Sequence, residues 1–138
     1  VAFCIAAKAH LRSNLAKGIA MTNAHRVDIE PNPHRLRVIH SGITLADTSR
    51  GFTLRETGLQ DVFYFPREDV NMTRFSRSDT TTHCPYKGDA SYFHLRTEDG
   101  EVIQNVAWSY ESPYEAAAAI KDCLAFFSER VDRIDQTS

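Results

Sequence analysis

The 138-residue chain has the length of one domain that can bury a core without disulfides or a structural metal, and its 42% hydrophobic and 25% charged residues exclude a disordered tail or a membrane protein. Its formal charge of −2 argues against a nucleic-acid binder built on a basic surface. Cys4, Cys84 and Cys123 are odd in number and form no Cys-x-x-Cys pair, so neither a disulfide framework nor a zinc ribbon is read, and a reducing cytoplasm is the expected compartment.

Residues 1–20 are alanine-rich, lack acidic residues and carry Lys8, Arg12 and Lys17. Phe3, Ala7, Leu11, Leu15 and Ile19 recur at helical spacing, which predicts a short amphipathic helix. The apolar run is too short, and its basic residues are on the wrong side, for a secretory signal, and it cannot span a bilayer. An N-terminal extension upstream of a start at Met21 is the favoured reading, with an organellar targeting or membrane-surface helix as the alternative. Residues 21–138 are then one domain.

Residues 29–33, with Pro31 and Pro33, cannot continue a helix or a central strand. Leu36, Val38 and His40 alternate with Arg35, Arg37 and Ile39 before a Ser41-Gly42 turn and a resumed strand at Ile43, which predicts a hairpin. Gly51 and Gly58 bracket a strand over 52–57, and Val62-Phe63-Tyr64-Phe65 is an aromatic strand stopped by Pro66. Asp79 and Thr80-Thr81-Thr82 read as a hydrogen-bonded approach to a turn built by Pro85 and Gly88. Strands over 90–96 and 102–109 flank Thr97-Glu98-Asp99-Gly100, a hairpin turn. One helix is predicted from Ser112 as cap, with Pro113 in the first position, Glu115 in the reciprocal place and the alanine run through Ile120. Residues 123–127 either extend that helix or, the favoured reading, start a final strand.

Five motifs then carry a resemblance. They are Ala46-Asp47-Thr48-Ser49-Arg50, Leu54-Arg55-Glu56-Thr57-Gly58, Tyr64-Phe65-Pro66-Arg67-Glu68-Asp69-Val70, Cys84-Pro85-Tyr86-Lys87-Gly88-Asp89-Ala90-Ser91-Tyr92 and Ala107-Trp108-Ser109-Tyr110. In order and spacing, from about Pro33 to about Asp132, they resemble the bacterial and fungal family catalogued as domain of unknown function 427. The resemblance implies a mainly β (α+β) fold, a β-tent of two antiparallel sheets similar to that of type B methionine sulfoxide reductases and the drug-binding domain of cereblon. Many β-tent proteins hold zinc through two Cys-x-x-Cys pairs, but here Lys87 takes the place of a partner to Cys84, and no metal or cofactor is expected. The family has also been labelled a nucleotidyltransferase-type domain, although no Gly-rich phosphate loop is present.

Cys84 is a candidate nucleophile because Lys87 and His83 favour its thiolate; the alternative is a small hydrophobe buried in a tight turn. Lys87 and Arg55 are candidates for binding an anion, or else are lone exposed basic residues with no specific role; Arg50 and Arg67 are candidates beside them, or else pair with Glu56, Glu68 and Asp69. Glu56 is a candidate general base or an anchor for an arginine. Tyr64, Tyr86, Tyr92, Trp108 and Tyr110 offer aromatic faces with polar tips. Alternation puts Trp108 and Tyr110 on one face and Ala107 and Ser109 on the other, so the two rings either line a pocket together or pack the core together. His83 and His94 show no metal-ligand spacing.

The sequence is therefore read as a small-molecule-binding domain with a cleft around Tyr86, Lys87, Arg55, Glu56, Trp108 and Tyr110, taking an anionic or polar planar ligand. Neither nucleic acid nor membrane is an expected partner. The alternatives are an enzyme using Cys84 in thiol chemistry, with His83, Lys87 or Glu56 as proton carrier, a nucleotidyltransferase-like activity, and an interaction module.

Overall fold

A computed structural model of the chain describes residues 25–137; the helix expected over 1–20 lies outside the described residues. Among the described residues ten strands run in chain order: β1 (Val27–Asn32), β2 (Arg35–His40), β3 (Ile43–Thr48), β4 (Gly51–Glu56), β5 (Val62–Tyr64), β6 (Phe75–Cys84), β7 (Gly88–Arg96), β8 (Val102–Tyr110), β9 (Leu124–Phe126) and β10 (Arg133–Thr137). They form three antiparallel sheets, ordered β1-β4-β5, β10-β2-β3 and β6-β7-β8-β9, where two had been expected.

The extra sheet arises because one ribbon is bent in two. The β1–β4 ladder ends at Asn32 opposite Gly51, and the β2–β3 ladder begins again at Leu36 opposite Thr48. Both chains turn at this level, one at Pro33, which lacks an amide donor, and one at Ser49-Arg50. Asn32 stitches the bend: its amide donates to Thr53 Oγ1 (3.0 Å) on one sheet and Gln136 Oε1 (2.9 Å) on the other, and its Oδ1 accepts from the His34 amide (2.9 Å). Gly51 lets the corner close, since a Cβ there would lie 2.8 Å from Leu36 Cδ1 and 3.0 Å from the Tyr64 carbonyl.

Over β7, β8 and β9 the four-stranded sheet has both faces covered. Ala90, Tyr92, Trp108, Tyr110 and Ala125 point to one core with Leu54 and Tyr64 of the first sheet, while Phe93, Leu95, Ala107, Leu124 and Phe126 point to a second core with Leu36, Val38 and Leu45. Trp108 and Tyr110 thus share a face, as strand alternation requires, and that face is core.

The hairpins predicted around Ser41-Gly42 and around residues 97–100 are present. Three strands were not anticipated. β1 carries Pro31 and is an edge strand, where a missing donor costs nothing; β6 absorbs the threonine run; β10 completes the bent sheet beside β2. The helix expected from Ser112 is corrected to a 3₁₀ segment, Glu115–Ile120, broken at Ala117 (φ −115°, ψ 18°) and without a side-chain cap. Its entry is held instead by the Tyr114 amide donating to the Lys87 carbonyl (3.0 Å), and its exit by the Asp122 amide donating to the Tyr110 carbonyl (3.0 Å). Anchored at both ends to the sheet, the run keeps the tighter turn despite its alanine content.

Candidate functional site

Glu56 ends β4 and Lys87 occupies the β6–β7 turn, and the two side chains meet in the interior at 1% and 0% exposure. Lys87 Nζ donates to Glu56 Oε1, and the other carboxylate oxygen lies 2.8 Å from His25 Nε2. The His25 ring stacks on Tyr86 at 3.9 Å between centroids and 18° between planes. The Lys87 ammonium also sits 5.9 Å from the Tyr110 ring centroid. A carboxylate and an ammonium removed from water each carry a desolvation cost of several kcal/mol, which their attraction and added hydrogen bonds must offset. Histidine, carboxylate and ammonium in one line form a polar thread through an apolar core.

Next to it, Trp108 Nε1 donates to the Tyr64 hydroxyl (3.0 Å), and burial holds that phenol well above its ordinary range. Tyr92 shares a hydrogen bond with Thr82 Oγ1 (2.8 Å). With its indole N–H engaged by Tyr64, Trp108 also lines a cleft of about 460 Å³ between β5, the end of β9 and β10. Phe63, Phe126 and Phe127 supply further aromatic surface there, Val62 and Ile134 aliphatic surface, and Gln60, Asp61, Ser128 and Glu129 the polar rim. The Phe127 ring lies 4.6 Å from that of Trp108, and the Arg130 guanidinium covers it at 4.4 Å. A neighbouring polar cleft of about 400 Å³ shares Asp61 and Phe63 with it and includes Arg55.

The candidates from the sequence fall into separate groups. Glu56, Lys87, Tyr86 and Tyr110 come together. Arg55 points away from Glu56, as consecutive strand residues must, and is an exposed partner of Glu30 and of Asp61 (3.3 Å). Arg50 is exposed and pairs with Asp69 (3.1 Å) and Glu68 (3.4 Å). Arg67 bridges to Glu111 (3.0 Å), Ser109 Oγ (3.0 Å) and the Asp122 carbonyl (2.9 Å). Cys84 is fully buried in the core that contains Ala90 and Tyr110, while His83 faces outward, 2.7 Å from Asp89 Oδ1. Strand alternation therefore separates the thiol from the imidazole proposed to assist it. Among the described residues no group of three or more His, Cys, Asp or Glu gathers to hold a metal ion, and no helix is long and apolar enough to cross a membrane.

His25, Gln60, Asp61 and Phe127 did not stand out in the sequence. His25 reaches Glu56 only through the β1–β4 pairing, 31 positions apart, which no local motif signals.

A family model described as a domain of unknown function (DUF427) matches residues 28–137, from the second residue of β1 to the end of β10. The chain belongs to that family. The match takes in every strand of the three sheets and all the site residues above except His25. No curated protein matches the chain.

Proposed function

We propose that this DUF427 domain binds a small planar ligand in the aromatic cleft beside Trp108. The observation that carries the reading is the lining itself: Trp108 and three phenylalanines line the cleft together with a few polar groups, in a volume of about 460 Å³. Small-molecule sites combine apolar walls with sparse polar groups in volumes of about this order. Stacking surface favours a flat, unsaturated body. The shared wall at Asp61 and Phe63 lets polar substituents extend toward Arg55, so that residue keeps a role at the far end of the ligand.

An anionic ligand draws less support than a neutral or polar one. Arg50, Arg55 and Lys87 each hold a carboxylate already, and the rim of the cleft carries Asp61 and Glu129. Thiol chemistry at Cys84 is also the weaker reading, because a substrate would have to enter packed core to reach the sulfur. The β-tent resemblance is consistent with a binding role but does not transfer one.

Trp108 is the chain's sole tryptophan, so its fluorescence reports on this cleft. A panel of flat heteroaromatic compounds titrated against the protein should include members that change Trp108 emission saturably. Ser128→Arg, an exposed rim substitution, should abolish that change while leaving the unfolding midpoint in place. Saturable binding that is identical in wild type and the variant would place the site elsewhere, and no saturable response from any compound would remove the reading.

A further inference from the structure

We infer that the aromatic cleft holds its ligand through the main chain of β5, and that the ligand is an acylated aromatic amino-acid amide, the smallest unit of an extended peptide. The inference rests on the cleft being a binding site, as proposed above.

The cleft faces strand edges and not the face of a sheet. Successive side chains of a strand point to opposite sides. Val62 and Phe127 pack toward the core that contains Trp108, and Phe63 and Phe126 toward the core that contains Phe65, yet all four line this one cleft. A cavity that touches both members of each consecutive pair opens between β5 and β9.

The hydrogen-bond pattern says which main-chain groups it meets. Phe65 and Leu124 exchange both of their main-chain bonds, at 2.8 Å each. Alternate residues of a strand direct N–H and C=O to the same side, so those of Phe63 and Phe126 are turned toward each other at the next exchange position. The flanking ladders agree. The Thr57 amide donates to the Arg26 carbonyl (3.0 Å), which in this register turns the Thr53 main chain toward β1 and away from Phe63. The Phe127 amide donates to the Val106 carbonyl (2.9 Å), which turns the Phe126 main chain away from β8. Among the described residues no bond joins Phe63 to Phe126 and no other group takes these two amides or carbonyls.

Such an edge is completed by another extended main chain. One ligand residue donates its N–H to the Phe63 carbonyl and accepts from the Phe63 amide, as Leu124 does at Phe65. Its side chain then meets the aromatic lining, which selects a ring. Asp61 and Glu129 on the rim disfavour a free carboxylate, so the carboxyl end is an amide. An acylated nitrogen offers one in-plane N–H without bringing a charge between aromatic walls.

The probes are N-acetylphenylalanine N-methylamide and its isostere 2-acetoxy-N-methyl-3-phenylpropanamide, in which an ester oxygen replaces the N–H that would reach Phe63. Titrated against the full chain, the amide should change Trp108 emission saturably, and the ester should bind roughly tenfold more weakly, the loss of one hydrogen bond with its partner left unmatched. Amide hydrogen exchange supplies the second readout. In the free protein Phe63 should exchange faster than Phe65, and saturation with the amide probe should slow Phe63. Equal binding of amide and ester, binding that leaves Phe63 exchange unchanged, or a free-state Phe63 as protected as Phe65 would each overturn the inference. A cleft that answers flat heteroaromatic compounds but not the amide also overturns it while leaving the planar-ligand reading in place, whereas silence toward both removes the two together.

Discussion

Lys87 donates to Glu56 across 31 positions of sequence, and both side chains are sealed from solvent. Neither charge has water to fall back on. Replacing Lys87 by methionine leaves the Glu56 carboxylate buried beside His25 alone, and the expected loss is about 3–5 kcal/mol of unfolding free energy. The double variant Glu56→Gln with Lys87→Met should recover part of this loss, because no bare charge remains inside. Urea denaturation of the three proteins measures it, and a loss within error for the single variant would mean that the pair is not desolvated.

Gly88 holds the turn that presents Lys87. Its φ of +111° is a region that side chains rarely adopt, and an added Cβ would also meet the Ser112 carbonyl oxygen at 3.3 Å. Gly88→Ala should therefore cost about 1–3 kcal/mol. Thermal and chemical unfolding check this, and a stability equal to wild type would show that the turn relaxes freely.

Glu111 sets an acid limit on stability. Paired hydrogen bonds from Arg77 hold its carboxyl at about 2, against an ordinary value of 4.5. The folded state favours the ionised form, so this contribution is complete above pH 4.5 and is lost as the pH falls toward 2. Denaturation midpoints of wild type and Glu111→Gln should differ at neutral pH and converge near the acid end. A gap that stays constant across that window would assign the difference to packing instead.

Cys84 and Cys123 should resist modification in the folded protein. Cys84 is fully buried, and burial pushes the Cys123 thiol up to about 11, so roughly one Cys123 in ten thousand is ionised at neutral pH. Peptide-resolved mass spectrometry after iodoacetamide treatment should find both unlabelled in native protein and labelled in denaturant. Native labelling of Cys84 at the rate of a free thiol would restore the case for thiol chemistry.

The local signals in the chain worked where one hairpin or one turn decided the outcome. Alternating Leu36 and Val38 before Ser41-Gly42, and the glycine-bearing turn at 97–100, announce paired strands because neighbours in sequence make the ladder. The helix from Ser112 misled because cap and alanine content describe a free segment, whereas Tyr114 and Asp122 are tied to the Lys87 and Tyr110 carbonyls. The polar threonine run of β6 hid a ten-residue strand, since one face of it is solvated and only Ser78 and Cys84 are buried. At the candidate site, the basic and acidic residues were visible and Glu68 and Asp69 were named as alternatives for Arg50, which pairs with both, but other partners were not: Arg55 took Glu30 and Asp61, and Lys87 took Glu56.

Taken alone, the amino-acid order determined the family, the mostly β character and the short hairpins, because motif spacing and alternation are properties of adjacent residues. Tertiary structure decided that one ribbon bends into two sheets, that Lys87 and Glu56 share the interior with His25, and that Trp108 edges an aromatic cleft. Each of those outcomes depends on contacts between strands distant in the chain, where burial and pairing geometry outweigh local preference.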